Sequence, residues 1–346
     1  MELRKFDRTL HYMWCQSDGS VMLKKLFFTV MLVLASFGLG SQCACLAETS
    51  ASADKTKKFQ VTPNICFSKI GDYSCLGDLY TPTNPPEGLM PAVLVLHAGG
   101  WKAGSRCDNN CVEMSSELAS RNMVVFDVDY RLVQDGGQYP NDVQDCWRAA
   151  DYLRKNAAKY HIDVNRMGVF GASSGGHLAL LIAYAPETIG LDEIAKQLRM
   201  FKVCVAFCPV TDLLKMGQSW VLAYLNDVPV ENPALANRSS PVTYVKTAVP
   251  TLIIQGEEDD LVPPEQGREL GAKLKEAGIE TELIMIPKQD HYFSMHPGPD
   301  HDLALAKGLD FMVKHLAAPA SGSASSQSAG VPQSGAQPTR PASIAN

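Results

Sequence analysis

A serine set between glycines is the strongest chemical signal in the sequence. Gly171-Ala-Ser-Ser-Gly175 has the form G-x-S-x-G, follows the apolar run Arg166 to Gly171, and leads into the apolar segment that begins Gly176-His177-Leu178. A strand, a strained turn and a helix in this order expose a serine hydroxyl at the turn, and glycines keep the crowded backbone free of side-chain clashes. The pattern predicts Ser173 as the nucleophile of an acyl transfer. Taken by itself, the pentapeptide also fits a glycine-rich turn without chemistry.

A base and an acid that suit this serine occur later in the chain. His291 follows the apolar run Glu282 to Ile286, and it is predicted to take the serine proton and return it to the leaving group. Four consecutive acids follow the run Thr251 to Gln255; Asp259 is favoured because it lies midway between a glycine and a valine, and Asp260 is the alternative. Serine, acid, histidine is one of the chain orders known for catalytic triads.

Both partners also have a simpler interpretation. An isolated histidine is more often structural, and a run of acids is often a solvated loop. His296 and His301 are weaker candidates for the base, because neither directly follows a strand-like run. The triad prediction therefore depends on three signals in the right order, each after its own strand.

The segment His97-Ala-Gly-Gly-Trp101 predicts donors for an oxyanion. It follows the apolar run Ala92 to His97, at the place where a second set of main-chain donors is found in such sites. The N–H groups of Gly99 and Gly100, with that of Ser174, are assigned as the oxyanion hole, and each such donor contributes about 2.7–4 kcal/mol in the transition state. Trp101 is predicted to form a wall of the substrate pocket. The alternative is a tight strand-to-loop turn.

The elements around these residues alternate between strand-like and helix-like patterns. Continuous apolar runs of this length suit strands that are buried on both faces. Helical spacing of apolar residues appears in Asp142 to Lys159, Pro264 to Ala277 and Asp302 to Leu316. Alternating strands and helices predict an α/β fold with a mainly parallel central sheet flanked by helices. The irregular segment Asp212 to Pro241 is expected to form a small cap over the carboxyl edge of the sheet.

The two ends of the chain differ from its centre in composition. Residues 1–47 are interpreted as a signal segment, with a basic start, an apolar run of about 14 residues and Cys45-Leu-Ala47 as the cleavage site. Met22 is an alternative start, and an uncleaved anchor is the alternative to cleavage. Residues 318–346, rich in Ser, Ala, Gly and Pro, are predicted to be disordered, which leaves 59–317 as the catalytic domain. We expect a secreted or periplasmic protein without stable membrane association after cleavage.

Charge and cysteine usage exclude several classes of function. The whole chain has a net charge of −6 and its first 47 residues have +2, so the remainder has −8. An acidic domain without basic runs argues against nucleic-acid binding. No C-x-x-C pair occurs and histidines are not clustered with the cysteines, so no zinc site is predicted. A Cys66–Cys75 disulfide is the first expectation and Cys107–Cys111 the second, with unpaired buried cysteines as the alternative.

The central part of the chain resembles the esterase/lipase branch of the α/β hydrolases. It is most similar to bacterial secreted carbohydrate esterases of the feruloyl and acetyl-xylan type, the BD-FAE-like enzymes. The resemblance rests on HAGGW (97–101), DYRL (129–132), YPNDVQD (139–145), AAKYHIDVNRMGVFGASSGGHLA (157–179), SSPVTYV (239–245), PTLIIQGEEDDLVP (250–263) and DHYF (290–293). These segments are highly specific for the fold and the triad, and less specific for the substrate.

The resemblance implies a function for the residues assigned above. It implies hydrolysis of short-acyl or aromatic esters, on small molecules or polysaccharide, by Ser173, Asp259 and His291, with no metal or organic cofactor. Arg131 and Asp142 match positions that brace the site. The alternatives are a lipase, a prolyl-type peptidase or amidase of the same fold, and a catalytically inactive binding module.

Two positions depart from the family pattern. Ala98 replaces the first glycine of HGGG, which we expect to be tolerated because Ala98 is not an assigned donor. Asp290 precedes the histidine where the family usually has glycine. A carboxylate there is expected to raise the imidazole pKa or to compete with Asp259, which would alter the pH optimum.

Overall fold

The fold was obtained as a computed structural model that describes residues 58–185, 200–216 and 219–317. The predictions made for residues 1–47 and 318–346 lie outside the described residues. Among the described helices, none combines the length and the apolar character that crossing a membrane would require.

A single eight-stranded sheet forms the centre of the fold, in the order β1-β2-β4-β3-β5-β6-β7-β8. β1 pairs antiparallel with β2, and β2 pairs antiparallel with β4. All the remaining neighbours pair parallel, which confirms the mainly parallel sheet. The strands are β1 (Phe59–Ile70), β2 (Tyr73–Pro82), β3 (Met90–Leu96), β4 (Val124–Val128), β5 (Ile162–Ala172), β6 (Phe201–Phe207), β7 (Thr251–Gly256) and β8 (Thr281–Ile286).

Helices cover both faces of the sheet, as the buried apolar strands require. The described helices are α1 (Asn109–Ala119), α2 (Asn141–Lys155), α3 (Ala157–Tyr160), α4 (Ser174–Tyr184), α5 (Ser219–Leu225), α6 (Pro233–Arg238), α7 (Glu265–Glu276) and α8 (Pro299–Leu316). Leu94 and Leu96 of β3 pack in one core with residues of α2, α4 and α7. Val93 and Val95 pack in a second core with residues of α1 and α8. The alternation follows from the two-residue period of a strand.

The segment between β6 and β7 forms the small cap. It contains the 3₁₀ turn Leu213–Lys215, helices α5 and α6, and a longer 3₁₀ segment, Pro241–Thr247. The hydroxyl of Tyr139 donates to the carbonyl of Arg238 in this cap, at 3.0 Å. The cap is thereby joined to the turn that precedes α2.

Both disulfide predictions are wrong. Cys66 lies opposite Leu76 on the β1–β2 hairpin and is exposed, whereas Cys75, the residue before Leu76, is buried. Successive residues of a strand point to opposite faces, so the two thiols lie on different sides of the hairpin. Cys107 is disulfide-bonded but Cys111 is free, so these two cysteines are not bonded to each other. The free cysteines of the described residues are Cys66, Cys75, Cys111, Cys146, Cys204 and Cys208.

Candidate active site

Ser173 occupies a strained turn between β5 and α4. Its backbone has φ +53° and ψ −119°, a conformation that costs free energy for a residue with a side chain. The turn is held by a hydrogen bond from the backbone N–H of Ser173 to the carbonyl of Phe207, at 2.7 Å. A Cβ on Gly175 would lie 2.3 Å from the carbonyl oxygens of both Leu96 and His97. The glycine therefore allows the end of β3 to approach the serine turn closely.

His291 lies between Ser173 and Asp259 and contacts both. Its Nε2 is 2.9 Å from the Oγ of Ser173, and its Nδ1 is 2.7 Å from Oδ2 of Asp259. All three side chains are buried, with 4–8% of their surface exposed. Because a carboxylate only accepts hydrogen bonds, Nδ1 carries the proton and Nε2 is left to accept the serine O–H. The structure thus brings together the three residues that the sequence assigns to a triad.

The environment of Asp259 distinguishes it from Asp260. Its Oδ1 accepts the backbone N–H groups of Leu261 and Val262, at 3.0 and 2.8 Å. Its Oδ2 accepts from His291 and also from Nε2 of Gln255, at 2.8 Å. Asp260 is exposed, so the acid that contacts the histidine is Asp259.

Gln255 is a site residue that the sequence analysis did not assign. It is the penultimate residue of β7, is fully buried, and also donates to the carbonyl of Val262 at 3.1 Å. Its amide donates to the same Asp259 oxygen that His291 contacts, and so helps to fix the carboxylate. A glutamine near the end of a mostly apolar strand was the available signal, because a buried amide needs hydrogen-bond partners.

Asp290 does not take the place of Asp259. The Oδ1 of Asp290 accepts the backbone N–H of Tyr292, at 2.9 Å, which makes it a local cap for the turn that carries the histidine. The Nδ1 of His291 is directed to Asp259. The expected competition between the two acids is therefore not seen in the geometry.

A third buried side chain, Cys208, adjoins the acid and the histidine. One atom each from Cys208, Asp259 and His291 lies within 4.8 Å of the others, and these types of ligand suit a metal ion. Burial, with the nearby Asp259 carboxylate, raises the pKa of the Cys208 thiol well above its usual value. In the structure, Nδ1 of His291 is already hydrogen-bonded to Oδ2 of Asp259. The arrangement suits proton transfer better than metal binding.

The loop after β3 places three residues in left-handed backbone conformations. These are Gly99 (φ +127°), Gly100 (φ +61°) and Trp101 (φ +59°). The carbonyl of Gly99 accepts from Lys102 and Ala103, at 3.1 and 3.0 Å, which closes the loop. Within the described part of the chain the N–H groups of Gly99 and Gly100 have no protein acceptor. They remain available to a ligand.

Ser174 provides the other predicted donor from the start of α4. The first N–H groups of a helix have no acceptor within that helix.

The carbonyl of His97, at the base of the glycine loop, accepts a hydrogen bond from the hydroxyl of Tyr130 at 2.9 Å. The rings of His97 and Tyr130 also stack, with centroids 4.2 Å apart. These contacts fix the loop beside the turn of Ser173.

The structure does not place Trp101 in a pocket wall. The Trp101 side chain is 0% exposed, and its ring stacks on Tyr224 of α5 with centroids 4.0 Å apart. His177 of α4 lies edge-on to it at 5.0 Å. The left-handed backbone at Trp101 turns the indole beneath the loop, into the core between α4 and the cap. The prediction that Trp101 forms a wall of the substrate pocket is wrong, because its side chain is fully buried. The indole supports the glycine loop instead.

Arg131 and Asp142, which the resemblance assigns to bracing the site, make separate contacts in the structure. Arg131 forms a two-pronged ion pair with the fully buried Asp145, at 2.7 and 3.0 Å. Asp142 is also fully buried, and burial raises its pKa well above the usual value. The hydroxyl of Tyr224 contacts Oδ1 of Asp142 at 3.4 Å, so Asp142 lies behind the ring on which Trp101 stacks.

The part of the chain that carries most of this site matches a known family. The model of the BD-FAE family matches residues 77–274, more than half of the chain. The chain belongs to the BD-FAE family. The match includes the glycine loop, the serine turn and the acid, and it ends before the strand that precedes His291.

Individual relatives of this BD-FAE member are distant. It is 24% identical to the probable carboxylic ester hydrolase LipM of Mycobacterium tuberculosis, over 69% of this chain and 55% of LipM. It is 24% identical to the non-reducing polyketide synthase ascC of Acremonium egyptiacum, over 69% of this chain but 15% of that protein. The chain therefore spans between one seventh and little more than half the length of these relatives.

Solved structures share the fold. A truncated carbohydrate esterase from gut microbiota superimposes with a TM-score of 0.63 at 19% identity, covering 75% of this chain and 98% of that one. At this identity the likeness establishes the fold. Together with the mainly parallel sheet and its flanking helices, it confirms the predicted α/β-hydrolase fold.

Proposed function

We propose that the protein is a serine carboxylesterase that hydrolyses short-acyl or aromatic esters, on carbohydrate, through an acyl intermediate on Ser173. The observation that carries the proposal is the chain of contacts from Ser173 Oγ to His291 Nε2 at 2.9 Å and from His291 Nδ1 to Asp259 at 2.7 Å. A hydroxyl, an imidazole and a carboxylate that contact one another in this order activate the hydroxyl for attack on a carbonyl carbon.

The reaction would proceed in two halves. Ser173 Oγ attacks the ester carbonyl while His291 Nε2 takes its proton, and the N–H groups of Gly99, Gly100 and Ser174 stabilise the oxyanion. His291 then protonates the departing alcohol, which leaves the acyl group on the serine. Water repeats the sequence on the acyl-serine, with His291 again as base. Asp259 keeps the imidazole in the required tautomer and stabilises its protonated form.

Three observations support export of the enzyme and a carbohydrate ester as its substrate. The chain belongs to the BD-FAE family, one similar structure is named as a carbohydrate esterase, and residues 1–47 have the composition of a signal segment. The cap between β6 and β7 is short, which leaves little apolar surface for a long acyl chain. We therefore propose a secreted or periplasmic enzyme that acts on acetyl or feruloyl esters, as small molecules or on polysaccharide.

Substitutions at the triad test the mechanism. We expect Ser173→Ala to remove turnover of p-nitrophenyl acetate, and Asp259→Asn to lower kcat by about 10⁴-fold because the imidazole then takes the wrong tautomer. Asp260→Asn is the matched control, since Asp260 is exposed, and it should leave kcat within about twofold. Full turnover by Ser173→Ala would exclude the proposed nucleophile.

A substrate panel tests the acyl preference. Purified wild type would be assayed on acetylated xylan, methyl ferulate and p-nitrophenyl esters of increasing chain length. We expect the highest kcat/KM on acetyl or feruloyl esters. A strong preference for long acyl chains would indicate a lipase and contradict the carbohydrate assignment. Turnover of none of these esters, with a correctly folded protein, would favour the inactive binding module.

A further inference from the structure

The loop that carries His291 is attached to the first turn of α8 at two points. Two residues before the histidine, Nε2 of Gln289 donates to Oδ2 of Asp300 at 2.6 Å. Three residues after it, the carbonyl of Ser294 lies 3.1 Å from Nδ1 of His301. Asp300 and His301 are adjacent in the chain, so a single turn of helix fixes the loop on both sides of the catalytic imidazole.

His301 has acceptors at both ring nitrogens. Its Nε2 lies 2.7 Å from Oε2 of Glu113 on α1, and its Nδ1 faces the Ser294 carbonyl. A carbonyl oxygen and a carboxylate both accept hydrogen bonds, so the ring donates to both only when it carries two protons. A neutral ring keeps one of the two bonds. His301 is 6% exposed, so water does not readily replace the lost partner.

The Glu113–His301 contact joins two elements that flank the site. Helix α1 follows the glycine loop of the predicted oxyanion hole, and α8 follows the histidine loop. The two helices pack closely, since a Cβ on Gly308 of α8 would lie 3.3 Å from Cε of Met114. The His301 ring therefore links α1, through Glu113, to the Ser294 carbonyl of the histidine loop.

We propose that His301, held by Glu113, is a positioning residue that fixes the loop of His291 and thereby the distance from its imidazole to Ser173. The inference rests on the proposed role of His291 as general base. A base displaced by about 1 Å costs about 10²-fold in rate, so loss of the His301 contacts is expected to lower kcat while leaving KM nearly unchanged.

The charge around His301 comes from three elements. Glu113 is on α1, and its side chain is 43% exposed. The loop and α8 contribute the other titratable groups nearby in the chain: Asp290, His291, His296, Asp300 and Asp302. Glu113 is the charged group that contacts the ring.

Variants of Glu113 separate positioning from simple stability, because the residue is on the surface. Glu113→Ala removes the Nε2 partner, and we expect about a tenfold loss of kcat with KM within about twofold. Glu113→Gln is the conservative rescue: its amide donates to an unprotonated Nε2, so a neutral ring keeps both contacts. We expect it to retain kcat, because both ring contacts are kept.

The matched control is Glu280→Ala. The Oε1 of Glu280 lies 3.4 Å from Nε2 of His315, a histidine in the last turn of α8. The Glu280 side chain is 51% exposed. It should leave kcat unchanged. Equal kcat for wild type, Glu113→Ala and His301→Ala, per folded active site, would overturn the inference. An equal loss of kcat in Glu113→Ala and Glu113→Gln would overturn it as well.

Hydrogen exchange provides a readout that does not depend on ester turnover. The backbone amides of residues 289–296 should exchange faster in Glu113→Ala than in wild type, and at the wild-type rate in Glu280→Ala. Unchanged exchange in Glu113→Ala would overturn the positioning role even if the protein proves not to be an esterase. Absence of wild-type turnover with faster exchange in Glu113→Ala would instead contradict the proposed function alone.

Discussion

Exchanging one atom behind the triad acid provides a sharp test of the site. The amide nitrogen of Gln255 donates to Oδ2 of Asp259 at 2.8 Å, and the two side chains are 0% and 4% exposed. Gln255→Glu keeps the shape of the side chain but replaces this donor with a second carboxyl group. Two carboxylates at hydrogen-bond distance without solvent do not both ionise, so the pair should share one proton.

The expected size of the effect follows from the separation. Two unit charges about 4 Å apart repel by about 4 kcal/mol at an effective dielectric constant near 20. At 1.36 kcal/mol per unit, that raises the pKa of the introduced carboxyl by about three units, from about 4.3 to about 7. The unfolded chain then releases a proton that the folded protein retains. The variant therefore loses stability relative to wild type as pH rises from about 4.3 to about 7, by about 4 kcal/mol in total.

Urea denaturation of wild type, Gln255→Glu and Gln255→Leu between pH 4.5 and 8 measures this effect. Gln255→Leu is the control: at every pH it loses the hydrogen bond to the Asp259 carboxylate, about 1.5–3 kcal/mol, and the weaker one to the Val262 carbonyl, about 0.5–1.5 kcal/mol. Gln255→Glu should approach wild type at the acidic end, where the shared proton replaces the amide hydrogen, and fall below Gln255→Leu at the alkaline end. A difference between Gln255→Glu and wild type that does not vary with pH would refute the reasoning.

Two further predictions concern the elements that support the serine. Gly175→Ala should lower the free energy of unfolding by at least about 3 kcal/mol, because the new Cβ would meet two backbone oxygens at 2.3 Å. Gly271→Ala is the control, because its Cβ would meet side chains at 3.4 Å or more; it should be neutral or stabilising by up to about 1 kcal/mol. Equal losses in the free energy of unfolding for the two variants, measured by urea denaturation, would contradict this. Burial lowers the pKa of His177 to about 4, below its ordinary value of about 6.5. Wild-type stability should thus fall by about 3 kcal/mol as pH drops from 6.5 to 4, and His177→Asn should show a smaller decline.

The parts of the site that could be predicted are those that follow directly from the ends of strands. Ser173 follows β5, Asp259 follows β7 and His291 follows β8. Parallel neighbours place their carboxyl ends at the same edge of a sheet, where sites in such folds are built. An apolar run followed by a reactive side chain is a local pattern, and its position in the fold is then fixed by topology.

Gln255 and His301 were missed as supporting residues because their partners are set by tertiary structure. Gln255 bonds to a residue four positions ahead, but its direction depends on which face of β7 meets the acid turn. His301 was weighed only as a base, and its contact with Glu113 spans 188 residues. No local spacing carries that information. The same holds for Trp101, whose side chain is directed by one left-handed backbone angle.

Among four consecutive acids, the turn after β7 decides which one meets the histidine. Oδ1 of Asp259 takes the N–H groups of the two apolar residues that follow Asp260, and the second of these, Val262, is 1% exposed. Burying Val262 draws the turn inward and carries Asp259 with it, while the intervening Asp260 is left in solvent. The choice of acid is therefore made by the apolar residue three positions later. Val262→Asp should therefore lower kcat by displacing Asp259. Asp259→Asn should then lower kcat much less in that background than in wild type. Additive effects of the two substitutions would show that the acid is held independently of the valine.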